Sequence, residues 1–200
     1  LSATATPLRP GDEIRLRMSV NVANATSTVD AVAFRLQYAT GTDCTAIAAA
    51  SWTDVGQAAS TTDWIGFDNS GVSDGDTLTS STLSDTDVLE TYEEFNPSTS
   101  TPNQIGIDEN AEFDWVLSNN NALEGVNYCF RMIESDGTTL ASYERYPELI
   151  TNAAPEKPDL LLPFDNEATA SSTPFFEFVA TNTEADPMHY HIQVDEESDL

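Results

Sequence analysis

Lysine is almost missing from this chain. Lys157 is the only one in 200 residues, and with six arginines it faces 34 acidic residues, for a formal net charge of −27. A surface so poor in cations cannot cluster the Lys and Arg that phosphate binding requires, which excludes nucleic acid as a partner. Anionic membrane faces repel it for the same reason. Histidine is confined to His189 and His191, so the first 188 residues cannot supply a histidine base to a nucleophile. No run approaches the ~18 apolar residues of a membrane span, and no membrane insertion is expected. Cysteine is limited to Cys44 and Cys129, and neither has a second Cys or a His close by, which is poor zinc spacing.

An apolar content of 40% is enough to build a core. The acidic balance fits a solvated extracellular or high-salt setting, and it could attract divalent cations; simple solubility is the plain alternative. In that setting Cys44 and Cys129 read as a disulfide, with two buried free thiols as the other reading. A start at Leu1, with no charged leader and apolar run, is expected of a processed secreted chain or of a piece of a longer one.

The organising signal is alternation. Glu13 to Val22 places Ile14, Leu16, Met18, Val20 and Val22 on one face and Arg15, Arg17, Ser19 and Asn21 on the other, the pattern of a half-buried strand. Ala31 to Ala39 repeats it with Val32, Phe34, Leu36 and Tyr38 inward. Glu112 to Leu117 does so with Phe113, Trp115 and Leu117. A fourth strand carries Tyr128, Phe130 and Met132 on one face, with Cys129, Arg131 and Ile133 on the other. Leu140 to Tyr146 is expected to close the domain as its last strand, ended by Pro147. Between them, Asp68 to Asn103 is rich in Asp, Ser, Thr, Gly and Asn and is expected as long loops with one or two short edge strands. Residues 151–158, with two prolines, read as a semi-rigid linker. Beyond it, in 159–200, Leu160 to Pro163, Thr173 to Ala180 and Met188 to Val194 read as strands, with Phe176, Phe178 and Ala180 inward. Three strands expose their edges, so this part is expected to belong to a longer, multidomain protein.

Tyr128 opens its strand just after the Leu123-Glu-Gly125 turn. That placement suits a tyrosine corner, in which the ring packs inside and the hydroxyl bonds back to nearby backbone. Together with Glu112-Phe-Asp-Trp-Val-Leu, Tyr128-Cys-Phe-Arg-Met, Ser135-Asp-Gly-Thr and Tyr143-Glu-Arg-Tyr-Pro147, it makes residues 1–150 resemble a fibronectin type III-like module. Leu160-Leu-Leu-Pro-Phe-Asp-Asn-Glu-Ala, Thr173-Pro-Phe-Phe-Glu-Phe and Asp186-Pro187 resemble the opening strands of a bacterial Ig-like or cadherin-like repeat. The expected fold is therefore all-β: an immunoglobulin/fibronectin III-like β-sandwich followed by the first strands of a second. The resemblance implies stalks, adhesins or ancillary domains of secreted enzymes, at the cell surface, with copies of itself, other surface components or polysaccharide as partners.

Candidate chemistry is sparse. Gly71-Val-Ser73-Asp-Gly75 spells a nucleophile elbow, but the acidic surroundings oppose an oxyanion and the helix it needs is not expected. The same loop offers Asp68, Asp74 and Asp76 as calcium ligands, against a reading as solvated turns. His189 and His191 share one face of a strand and could chelate a metal if a third ligand exists; two exposed histidines are the simpler reading. Trp52 and Trp64 are undecided between core and exposed platforms for sugar stacking. No cofactor is expected, calcium excepted. The expectation is a non-catalytic structural or adhesive module, and the alternative is an ancillary carbohydrate-binding module of a secreted enzyme.

Overall fold

A computed structural model describes residues 8–151, 158–162, 173 and 175–180. The chain divides into two units, Leu1–Asn152 and Ala153–Leu200. The first is all-β and contains two sheets. In the first sheet, β1 (Glu13–Asn21) runs antiparallel to β6 (Asn110–Asn119) over its whole length, from Glu13 opposite Ser118 to Asn21 opposite Asn110. The other side of β6 is shared by β4 (Trp64–Gly66), antiparallel, and β5 (Val88–Glu93), parallel. The second sheet has the order β3-β2-β7-β8: Thr53–Asp54, Phe34–Thr40, Asn127–Glu134 and Glu148–Ile150.

The alternating residues meet between the sheets. Phe34, Leu36, Phe113, Trp115, Tyr128, Phe130 and Met132 are buried in one cluster, with Leu16 packed against it. Trp64 joins them, its ring edge-on to Tyr128 at 5.6 Å and to Phe130 at 5.4 Å. Edge-to-face packing sets the positive rim of one ring against the negative face of the next. Tyr128 makes its corner: its hydroxyl accepts from Leu123 N (2.9 Å) and donates to Asp63 Oδ2 (2.9 Å). Burial pushes the phenol well above its ordinary pKa, so it keeps its proton.

Residues 53–56 tie the layers together. Asp54 pairs with Gln37 in the second sheet, while Gly56 bridges to Ile65 of the first. Residues 96–101 extend this closure along the β2 edge. The Asn96 side chain accepts from Leu36 N (3.0 Å) and donates to the carbonyls of Leu36 (3.0 Å) and Val55 (2.8 Å), acting as a partner strand would. Ser98 N and Thr101 N bond to Phe34 O and Val32 O. Edge backbone groups are thereby covered rather than left open to another chain.

Two expectations are corrected. Leu140 to Tyr146 is not a strand; the closing strand is β8, after Pro147. Proline lacks an N–H, yet its carbonyl still accepts from Phe130 N (2.9 Å), so it sits where pairing begins. The stretch from Asp68 to Asn103 holds β5, one of the short edge strands expected there, but its loops do not stand apart from the core: the first part folds over the outer face of β6. Leu78, Tyr92 and Val116 form a second apolar cluster there, with Phe67 and Leu89 against it. β6 is consequently buried on both faces, where alternation promises one. Gly66 lies at the seam: a Cβ there would stand 1.8 Å from the Glu94 carbonyl oxygen, so only glycine fits.

Of the second unit, β9 (Asp159–Leu162) and β10 (Glu177–Val179) form an antiparallel ribbon. Phe176 and Phe178 are 39% and 36% exposed. Residues 152–157, which make up most of the expected linker, lie outside the described residues, as do Asp186-Pro187, the strand Met188 to Val194, and His189 and His191.

Candidate functional site

Several acids of the 68–103 insertion and of β6 are turned inward, while Asp68, Asp76, Asp85 and Asp87 stay exposed. Glu90, Glu93, Glu112 and Asp114 are fully buried and Glu94 nearly so. Glu112 accepts from Thr82 N (3.0 Å), Leu83 N (3.3 Å) and the Thr86 hydroxyl, and pairs with Arg17 (2.5 Å). Burial alone would raise its pKa; the bonds from Thr86, Thr82, Arg17 and Leu83 outweigh that and hold it below the usual value. Asp114 pairs with Arg15 and Arg17. Glu93 accepts from Thr99 N and Oγ1, both at 3.0 Å. Glu90 accepts only a long bond from Asn103 N (3.4 Å), and its Oε1 has no partner among the described residues. Burial pushes the carboxyls of Glu90 and Glu93 up to about 7, against partial relief from Asn103 and from Thr91 and Thr99 respectively. These carboxylates fasten backbone; they do not converge on a cavity.

The structure does not bring the proposed calcium ligands together. Asp74 Oδ1 accepts from Glu94 N (2.7 Å) and Phe95 N (3.1 Å). Asp76 Oδ2 accepts from Ser73 N (3.1 Å), and Asp68 is exposed on its own. Short acidic side chains here cap turns, a local use that competes with ligation. Among the described residues, no three His, Cys, Asp or Glu side chains are placed to hold a metal. The Gly71–Gly75 segment runs as bends and turns with no helix after it.

Of the two readings open for Trp52 and Trp64, the structure places both side chains in buried positions. Trp64 has no exposed surface, because the core claims it. Trp52 is 9% exposed, with both its surroundings occupied: Tyr146 stacks on it at 5.8 Å and the Arg131 guanidinium lies 4.4 Å from its ring centre.

What surrounds Trp52 is the outer face of the second sheet. Cys44 and Cys129 are joined, with Cα atoms 5.7 Å apart, and the bond fixes the turn after β2 onto β7. Ala39, Trp52, Ile47 and Tyr146 pack around it. Asp43 caps that turn by accepting from Thr45 N (3.0 Å). Tyr143 stacks on Tyr146 at 5.2 Å and donates its hydroxyl to Met132 O (2.7 Å), so segment 140–146 serves as an aromatic cover.

Beside this cover runs an open groove of about 620 Å³. Its polar floor is a chain of bonds. Arg131 Nε and Nη2 donate to Gln37 Oε1 (2.9 and 2.8 Å). Gln37 Nε2 donates to Asp54 Oδ1 (2.7 Å), and Arg35 pairs with Asp54 Oδ2 (3.1 Å). Two arginines and one aspartate line the groove, with no other ionisable side chain among the described residues. In a chain of net charge −27 this is a local excess of positive charge. Alternation places Arg131 on the face opposite Tyr128, Phe130 and Met132, and on that face it is only 9% exposed. The signal available was its place between Phe130 and Met132, on the face it shares with Cys129.

No family model, no curated protein and no solved structure matches this chain.

Proposed function

We propose that the chain is a non-catalytic structural or adhesive module of a secreted or cell-surface protein, a spacer that carries force and keeps its attachments away from the surface. The observation that carries this reading is how the first unit is fastened: a disulfide across one face, and buried or half-buried carboxylates binding a long insertion across the other. The disulfide leaves no free thiol, and the carboxylates are committed to backbone rather than to a reacting centre. The Ig-like or fibronectin-like reading of the sandwich draws support from the pairing of β1 with β6, from the β2-β7-β8 order, and from the tyrosine corner before β7. Neighbouring modules and surface components are the partners this role implies. The alternative of sugar stacking loses its platforms, since both tryptophans are buried.

Pulling on single molecules tests the role. The oxidised first unit is expected to resist until it opens in one step. Reduction is expected to lengthen that step by about 290 Å, the extended reach of the chain between cysteines 85 positions apart. A unit that stretches smoothly, with no discrete rupture, contradicts a force-carrying spacer.

A further inference from the structure

Arg131 is an anomaly of charge. Arg15 and Arg17 pair with Asp114 and Glu112, and Arg35 pairs with Asp54. Arg9 and Arg145 are exposed and solvated. Arg131 alone is both buried and without a carboxylate partner among the described residues, in a chain with 34 acids to choose from. Its contacts are neutral: the Gln37 amide oxygen, bound by two of its nitrogens, and the Trp52 ring. A buried charge ordinarily has a counter-charge, because desolvation is costly without one. This one lines an open groove instead.

We propose that the groove is a binding site for a carboxylate-bearing sugar, with Arg131 as the partner of the carboxylate. Gln37 holds the guanidinium by two bonds, and Trp52 packs against it, so the fork is held before the ligand arrives. The rest of the lining suits a hydroxyl-rich ligand: Thr53, Thr62 and Thr139 supply hydroxyls, and Asp54 can accept from sugar hydroxyls. The ligand carries sparse negative charge. A nucleic acid, with a phosphate every few ångströms, meets the repulsion of the whole acidic surface for the sake of one unpaired arginine. A neutral sugar leaves that arginine as it was. The site differs from a stacking platform, since no aromatic face is free in it, and it stands on Arg131 whether or not the module carries force.

The test is calorimetric titration of the full chain with a galacturonate trimer, its methyl ester, and acetate at equal ionic strength. Binding of the acid trimer is expected, with neither the ester nor acetate matching it. Arg131→Met is expected to weaken the acid trimer about 10-fold or more, the scale of a charge-assisted bond. Should that variant fail to fold, the double change Gln37→Glu and Asp54→Asn keeps the net charge and moves the carboxylate onto Arg131. It is expected to stay folded and lose the trimer to the same degree. Equal binding of acid and ester, acetate binding as tightly as the trimer, no binding of the trimer, or full affinity in either folded variant would overturn the proposal.

Discussion

The first unit is expected to lose several kcal/mol of stability as pH rises from about 4.5 to about 7.5. Glu90 and Glu93 carry this effect. Each is fully buried, and burial holds its proton up to about pH 7 in the folded chain against an ordinary 4.5. Below about 4.5 both states are protonated and the groups do not discriminate. Between there and about 7 the unfolded chain releases protons that the folded chain retains, so each step upward in pH favours unfolding. At ~1.4 kcal/mol per pH unit, each group contributes roughly 3 kcal/mol at most to the loss. Glu112 acts in the opposite sense, its lowered pKa costing stability as pH falls below the carboxylate range. The two trends place the maximum near pH 4.5 to 5. Urea unfolding at pH 4.5, 6 and 7.5 measures it. About 0.5 M salt should be present to screen the general self-repulsion of the acidic surface, which has the same sign. Glu90→Gln with Glu93→Gln is expected to flatten the profile above pH 5. A wild-type profile already flat there would show that these carboxyls are not held protonated.

Removing the disulfide is expected to cost about 4 kcal/mol, by Cys44→Ala with Cys129→Ala. The bond closes a span of 85 residues, and releasing it returns that loop entropy to the unfolded chain. In a domain of this size 1 kcal/mol moves Tm by about 2–4 °C, so a fall of roughly 8–16 °C should appear in thermal unfolding. The loss includes packing, because Ala39, Trp52, Ile47 and Tyr146 rest against the bonded sulfurs. A red shift of Trp52 emission before global unfolding should mark the loosened turn. A fall of less than about 3 °C would mean that the outer face holds itself without the bond.

The sandwich was legible because its strands obey one rule. β1, β2, β6 and β7 alternate, and a period of two can bury only one set of side chains, so Leu16, Phe34, Trp115 and Phe130 had to meet. Tyr128 was legible for a related reason: a tyrosine at a strand start after a tight turn has somewhere to bury its ring and something to bond. β5 was not legible. Glu90-Thr-Tyr-Glu-Glu94 reads as surface in any scale that assigns carboxylates to water, yet its acids accept from amides of Asn103, Thr99 and Asn69, which lie outside the strand in sequence. The segment 140–146 failed differently, since its tyrosines satisfy themselves by stacking over the disulfide rather than by entering the core. The groove was hidden because alternation says which face Arg131 occupies, not that Trp52 and Tyr146 rise to cover that face.

Underlying all of this is the use of acidic side chains as internal fasteners for the insertion, and amide hydrogen exchange reads it directly. Thr82, Leu83, Glu94, Phe95 and Thr99 donate their amides to carboxylates of Glu112, Asp74 and Glu93. Those amides are expected to exchange at rates near those of β6. Glu112→Gln, which removes the charge and leaves the shape, is expected to speed exchange at Thr82 and Leu83 by about 10-fold or more, in proportion to the lost charge-assisted bonding, while β7 keeps its protection. Free exchange of these amides in the unaltered chain, as in a solvated loop, would contradict the account.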